Sequence, residues 1–425
     1  MPDTIFALSS GAPPAAIAVV RVSGPSADAA LRALAGRALP PRRAVSVTLR
    51  DAAGAPLDRA LALWLPGPQT ATGEDTVEYH CHGGRAVVAA VAAALAALPG
   101  LRAATPGEFT RRAFANGKID LAEAEGLADL LSAETELQRQ SAMAMAGGEF
   151  SALVANWREI LLNLSAAVEA VLDFSDEDDV SALPAEFSVG LARLEAQIAD
   201  WLARPRAEAL REGYRVVLSG PPNSGKSTLF NALVERDAAI ITPLAGTTRD
   251  LLTHPVALSG VPFRFVDTAG LRETSADAVE MIGMQRARAA ADQADLVLWL
   301  GPEREGPSGA WEIAPQADCI PTAIKQQARH TISAVTGQGM DALRADLVET
   351  ARAALPRPGE AALNARQHHL LSESRNALSL AADLTDPLLV AEHLRLARVA
   401  FDALLGRTTT EDMLDALFGR FCIGK

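Results

Sequence analysis

The 425-residue chain is short of cysteine, short of aromatic residues and short of positive charge, and it has no long apolar run. Three cysteines, Cys81, Cys319 and Cys422, cannot build a disulfide framework, which excludes the small secreted scaffolds and fits a reducing compartment. The most apolar stretch, AVVAAVAAALAAL at 86–98, is too short and too rich in alanine to cross a bilayer. The first residues, MPDTIFALSS, carry an acid and no basic segment, so no secretory leader is read there. A cytoplasmic protein with no membrane role is expected. A formal net charge of −13 lacks the basic footprint usual for nucleic-acid binding. Arg42–Arg43 and Arg111–Arg112 are local basic pairs, and charge alone leaves an RNA partner open.

What is present is the composition of a globular protein, 49% hydrophobic and 21% charged, with length for two to four domains. Residues 1–117 mix strand-like runs, IAVVRVS (17–23), VSVTLR (45–50) and RALALWL (59–65), with the alanine-rich run as a helix, so this block reads as α+β. Helical spacing takes over at 121–150, where Leu121, Ala124, Ala128 and Leu131 recur on one face, and continues through REILLNLSAAVEAVLDF and VGLARLEAQIADWLARP. Between 213 and 355, YRVVLSG, VPFRFVDTAG and ADLVLWL are strands alternating with helices, and helix returns after Pro356–Pro358. The expected organisation is multidomain: an N-terminal α+β domain (1–117), a discontinuous helical domain (118–212 plus 356–425), and a Rossmann-like P-loop α/β domain inserted within it (213–355).

GPPNSGKST at 220–228 follows a β-branched strand and precedes TLFNALVER. Gly220 and Gly225 let backbone amides curl round phosphate, and the helix start adds favourable partial charge. Lys226 would reach the β- and γ-phosphates and Ser227 would ligate Mg²⁺, with Asn223, Ser224 and Thr228 completing the loop. In AGTTRD (245–250), Thr248 would close on Mg²⁺ and the γ-phosphate. In DTAG (267–270), Asp267 would support Mg²⁺ and Gly270 would offer an amide, with Thr268 and Ala269 beside them. In this order the segments read as the switches of a small GTPase of the translation-factor type. The guanine-reading N-K-x-D is expected within PTAIKQQAR (321–329), with Lys325 as its lysine, Ile324 for Asn and Gln327 for Asp. A neutral Gln there would weaken discrimination against adenine. SAVTGQG (333–339) supplies Ser333 and Ala334 to the base.

His80, Cys81 and His82 have the look of metal ligands, yet two histidines on one strand face without a second cluster fit a polar pocket edge better. The acidic run 173–179 is read as a solvated helix end.

VRVSGP (20–25), GEDTVEYHCHGG (73–84), TPGEFTRRAFANGKIDLAEAEGLADL (105–130), LDFSDED (172–178), DTAGLRET, VEMIG and the terminal FCIGK together resemble the tRNA-modification GTPase family called MnmE or TrmE, over essentially the whole chain. The resemblance implies a folate-binding-like N-terminal domain that holds a formyl- or methylene-tetrahydrofolate and mediates homodimerisation, a helical bundle, and an inserted Ras-like G domain. It implies tRNA as substrate, modified at C5 of the wobble uridine with an aminomethyl-type group. It also implies a FAD-dependent partner, MnmG (GidA), forming a heterotetramer. By the same resemblance Arg21, Glu78, Lys118 and Lys425 contact folate, while Asn223, Thr242, Leu244 and Thr247 surround K⁺. Glu280 would orient the attacking water, and Cys422 is a candidate nucleophile whose commoner reading is packing at a helix end. Two other readings stay open: an RNA-recruiting switch of the ribosome-assembly kind, and a degenerate G domain of weak guanine specificity.

Overall fold

The computed structural model describes residues 3–173, 183–235, 253–267, 291–318, 325–408 and 410–424. The chain separates into two compact units, one made of Met1–Ala128 with Asp402–Lys425 and one of Asp129–Phe401.

The first unit is built on strands β1 (Thr4–Leu8), β2 (Ile17–Ser23), β3 (Ala44–Arg50), β4 (Pro56–Leu65), β5 (Thr76–His82) and β6 (Leu101–Ala103), in the order β3-β4-β5-β2-β1-β6. Only β6 runs parallel to its neighbour. Because side chains alternate across a strand, one face collects Val20, Val22, Val47, Leu49, Ala60, Ala62, Tyr79 and Cys81, and the helices Ala27–Ala35 and Arg85–Ala96 cover it. Each large apolar side chain buried there contributes about 1.5–3 kcal/mol. The opposite face keeps Val19, Arg21, Glu78 and His80 half-buried.

The C-terminal segment completes this unit. Helix Glu411–Phe418 sets Leu414 and Phe418 against Leu121 and Ala124. Gly107 has φ +68°, and a Cβ there would collide with the Phe418 carbonyl, so only glycine lets the tail pass. Beyond it the Gly107 N–H donates to the Cys422 carbonyl at 3.5 Å. The Ser9 hydroxyl donates to the Gly424 carbonyl at 2.9 Å.

A charged network fastens the start of the chain to the Glu108–Ala115 helix: Arg102 pairs with Asp3 and Glu108, and Arg112 with Asp3, Glu74 and Glu108. Burial alone would raise the Glu108 carboxyl, but hydrogen bonds from Arg102, the Thr105 amide and Arg112 outweigh it and hold it at about 2, against an ordinary 4.5. A depressed native value stabilises above the unfolded value and is lost as pH falls towards the native one. Lowering the pH from 5 to 2 is therefore expected to remove about 1–2 kcal/mol from this unit after solvent screening, a loss that Glu108→Gln should abolish. Urea midpoints of both proteins across that window measure it.

The second unit holds β7 (Tyr214–Ser219), β8 (Thr253–Leu258), β9 (Val261–Asp267), β10 (Leu296–Trp299), β11 (Trp311–Ala314) and β12 (His330–Thr331), ordered β12-β11-β10-β7-β9-β8. All neighbours are parallel except β8 against β9. Val216, Leu218, Phe263, Phe265, Leu298 and Ile313 share one core with Leu229 and Leu233 of helix Lys226–Glu235 and Leu343 and Leu347 of helix Met340–Ala354. Elsewhere in this unit the helices Glu149–Asp173, Ala185–Leu202 and Pro387–Leu404 meet at buried Trp157, which lies against the Trp201 and Phe401 rings and whose indole donates to Gln197 at 2.8 Å.

The helical stretch expected at 121–150 is interrupted twice. Thr135 and Gln138 form a reciprocal capping box that starts a new helix, Glu136–Ala146, and Gly148 at φ +81° precedes the next. Among the described residues no helix is long and apolar enough to cross a membrane.

Candidate active site

The phosphate-type loop hangs from the end of β7, the strand flanked on both sides by parallel neighbours. Asn223 sits in the left-handed region at φ +62°, with Gly220 at +153° and Gly225 at +88°, the twisted path that turns successive amides inward. A Cβ on Gly220 would lie 3.1 Å from the Gly301 nitrogen and 3.0 Å from the Ser224 hydroxyl, so the loop is closed against the end of β10. Lys226 is only 6% exposed. Its ammonium donates to the carbonyls of Gly220 at 3.0 Å and Pro221 at 2.6 Å, which curls it over its own loop.

Helix Lys226–Glu235 then presents Ser227, Thr228 and Asn231 to a groove of about 400 Å³ closed by Ala334, Val335, Gly337, Met340 and Arg344. The Ser333–Gly339 turn that shapes the far wall is internally bonded. Ser333 is fully buried, its N–H donates to Gln338 O at 2.9 Å, and its hydroxyl accepts from Thr336 N at 3.1 Å. Thus Ser227, Thr228 and Ala334, far apart in sequence, line one groove.

The expected base-reading residues Lys325 and Gln327 are each engaged with neighbouring elements. Lys325 is held by Glu312 at 2.7 Å and by the Trp299 carbonyl at 3.0 Å, and the Gln327 N–H donates to Glu303 at 2.8 Å. Lys325 thus joins β10 to β11, and Gln327 is tied to the loop that follows β10. The loop beside the phosphate loop is instead Pro315–Asp318, P-Q-A-D, directly after β11. A Cβ on Gly225 would stand 3.7 Å from Pro315 Cβ and 3.9 Å from Gln316 Nε2. Gln316 takes φ +60°, the Ala317 N–H donates to the Ile332 carbonyl at 3.0 Å, and Asp318 is exposed. Of the N-K-x-D pattern this loop keeps the fourth residue alone, Asp318.

Asp267 closes β9 and pairs in register with Leu218, one residue before the end of β7, so its backbone reaches the phosphate-loop end of the sheet. Thr242, Leu244, Thr247, Thr248, Thr268, Ala269, Gly270 and Glu280 lie outside the described residues.

In the first unit, Arg21 and Glu78 stand opposite one another on β2 and β5, and the guanidinium meets the carboxylate through Nε and Nη2, each at 2.9 Å. The other carboxylate oxygen lies 3.4 Å from His80 Nε2, and Arg21 lies over the Phe109 ring at 5.8 Å. Lys118 lines a groove with Phe114, Ile119, Asp120, Glu123 and Arg407. Lys425 is outside the described residues. His82 binds Asp58 at 2.7 Å, so the two histidines serve different carboxylates. The Cys422 side chain is exposed, whereas Cys81 is buried. Burial, and then Asp58, pushes the Cys81 thiol up to about 12, which makes it inert as a nucleophile.

Two family models match the chain: "GTP-binding protein TrmE N-terminus" over residues 4–118 and "MnmE helical domain" over 121–422. Similar curated proteins are each described as tRNA modification GTPase MnmE. That of Novosphingobium aromaticivorans is 64% identical over 100% of both chains, and that of Erythrobacter litoralis 62% identical over 100% of both. That of Rhizorhabdus wittichii is 58% identical over 100% of this chain and 97% of its own. Among solved structures, the cytosolic domain of the T. maritima FeoB iron transporter matches at 19% identity over 45% of this chain and 93% of that one. Its TM-score is 0.21, too loose a superposition to place any residue.

Proposed function

The chain belongs to the tRNA modification GTPase MnmE family, and from that premise we propose that it is a GTP-hydrolysing enzyme whose turnover drives modification of the wobble uridine of tRNA. The observation that carries this reading is the left-handed loop round Asn223 with Lys226 buried beneath it, at the end of the central parallel strand. In it the loop amides and the helix start cradle the β- and γ-phosphates, and Lys226 exchanges its two carbonyl partners for phosphate oxygens. Ser227, at the first helical turn, and Asp267, at the end of β9, are where a Mg²⁺ partner set is needed, and Thr248 completes it. Asn223 is suitably turned for a K⁺ held also by Thr242, Leu244 and Thr247. Bound there, the two cations would neutralise charge developing on the transferred phosphoryl group. Glu280 positions the attacking water, and pairing of two G domains through their switches completes the site.

Guanine is read by the Pro315–Asp318 loop. Asp318 accepts hydrogen bonds from the ring N–H and the exocyclic amine, and Ala334 offers its backbone to the guanine carbonyl. In the first unit the Arg21–Glu78 pair is the anchor for a tetrahydrofolate derivative, since a fixed guanidinium and carboxylate suit its glutamate and its pterin respectively. Lys118 and Lys425 serve its carboxylates, and Cys422 is the thiol nearest the completed tail. The three-domain division, a cytoplasmic homodimer and a flavoprotein partner belong to the same proposal.

The test is turnover of GTP against ATP, each in KCl and in NaCl. GTP hydrolysis that requires K⁺ supports the reading. Equal use of both nucleotides would mean that Pro315 and Gln316 leave the base unread, and no turnover in either salt would overturn the enzymatic reading.

A further inference from the structure

The helix Glu136–Ala146 starts against the core of the nucleotide-binding sheet. Leu137 is 5% exposed and packs in the cluster of Val256, Leu258, Val261 and Phe263, although it precedes β7 by more than seventy residues. Its N–H donates to the Gly260 carbonyl at 3.1 Å, so the β8–β9 turn supplies the partner that a helix start otherwise lacks. Gly260 has φ +77°, and a Cβ there would stand 3.3 Å from Glu136 Cβ. Gln138 closes its own cap by accepting from the N–H groups of Glu134 and Thr135, and its amide donates to the Leu210 carbonyl at 2.8 Å. Leu210 lies in Ala207–Glu212, the turn of helix that leads into β7.

One helix start therefore grips the near ends of two adjacent strands, β7 and β9. Their far ends carry the phosphate loop and Asp267, roughly 20 Å away for a strand of this length. Further along the same helix, the Ser141 hydroxyl donates to the Glu360 carbonyl at 2.9 Å, where the chain leaves helix Met340–Ala354. β8 is the edge strand, with β9 as its one neighbour among the described strands, and β9 joins it to β7. A cavity of about 50 Å³ lies beside the grip, lined by Gln138, Ser141, Met145, Glu208, Leu210 and Asn364.

We propose that Leu137 and Gln138 are positioning residues for the hydrolytic site. Displacement of β9 by the nucleotide pulls the Gly260 turn, and through Leu137 and Gln138 it moves the Glu136–Ala146 helix. The same grip in reverse lets the helical part set where Asp267 stands. This rests on the GTPase reading and adds to it the route by which the site and the helical part act on one another.

Hydrogen exchange of amides 137–146 in the full-length protein, with GDP and with a non-hydrolysable GTP analogue, tests the joint. Nucleotide affinity is measured alongside. In the parent the exchange rates differ between the two nucleotides by about tenfold, and in Leu137→Ala by less than about twofold, with affinity for either nucleotide within about threefold of the parent. Leu137→Met restores the difference. Gln138→Met, which keeps the core filled, is the second variant should Leu137→Ala fold poorly, and it should also shrink the difference. A difference undiminished in both variants, or absent in a parent that binds both nucleotides, overturns the proposal. Failure of the parent to bind nucleotide overturns the GTPase reading itself.

Discussion

Lys226→Met lowers GTP turnover by about 10²–10³-fold, the effect of deleting one fixed donor from a site that stabilises developing charge. Methionine keeps most of the unbranched stem, so the helix start stays packed while the ammonium is lost. The lysine is already aimed: burial and its bonds to the Gly220 and Pro221 carbonyls hold Nζ over the loop. Little reorganisation is therefore needed when phosphate arrives, and the interaction should act more on the transition state than on binding. We expect kcat to fall more than KM rises, because charge on the transferred group is greatest in the transition state. Steady-state kinetics with GTP, together with direct binding of GDP, separates the two. A loss smaller than tenfold in kcat/KM would show that the loop amides alone carry the phosphates.

Asp318→Asn is expected to reverse the choice of base. A carboxylate accepts two hydrogen bonds from the donor edge of guanine, whereas an asparagine amide offers one acceptor and one donor. The variant should lose roughly 10²-fold in GTP affinity and gain for xanthosine triphosphate, whose carbonyl replaces the exocyclic amine, since each charge-assisted bond contributes about 1.5–3 kcal/mol. Pro315 has no side-chain amide to brace the loop, so the discrimination falls on Asp318 and on the Gln316 amide laid against Gly225. Competition binding with the three triphosphates measures it. An unchanged order of preference would place base reading outside this loop. Gln327→Ala should leave the order intact, because its side-chain oxygen accepts from Arg304 at 3.4 Å and not from the base.

Lys325 shows where the sequence is hardest to read. The sequence sets it in a base-reading pattern, and the fold pairs it with Glu312 at 2.7 Å. That partnership joins residues thirteen apart, and no local pattern announces it. By contrast β2 is legible to the residue as IAVVRVS, since strict alternation on a half-buried strand leaves no other register. The phosphate loop is equally plain, because its spacing is dictated by backbone geometry. The break at Thr135 was readable too: T-E-L-Q is a capping-box signature, hidden by the helical periodicity on either side. The strands Thr4–Leu8 and Trp311–Ala314 escaped because each is short, five and four residues, with too few positions to show an alternation. Arg21 and Glu78 meet because β2 and β5 pair in register, which no spacing reveals.

The tail that threads past Gly107 has a consequence for how the protein is made. The first unit takes its last helix and its closing hydrogen bonds from 402–424. The ribosome must therefore deliver the whole second unit, about 270 residues, before the first can be finished. At typical synthesis rates of about 5–20 residues per second, the nascent N-terminal sheet waits some 15–55 s with the apolar side chains meant for Leu414 and Phe418 uncovered. The earliest part of the chain to emerge is the last to close.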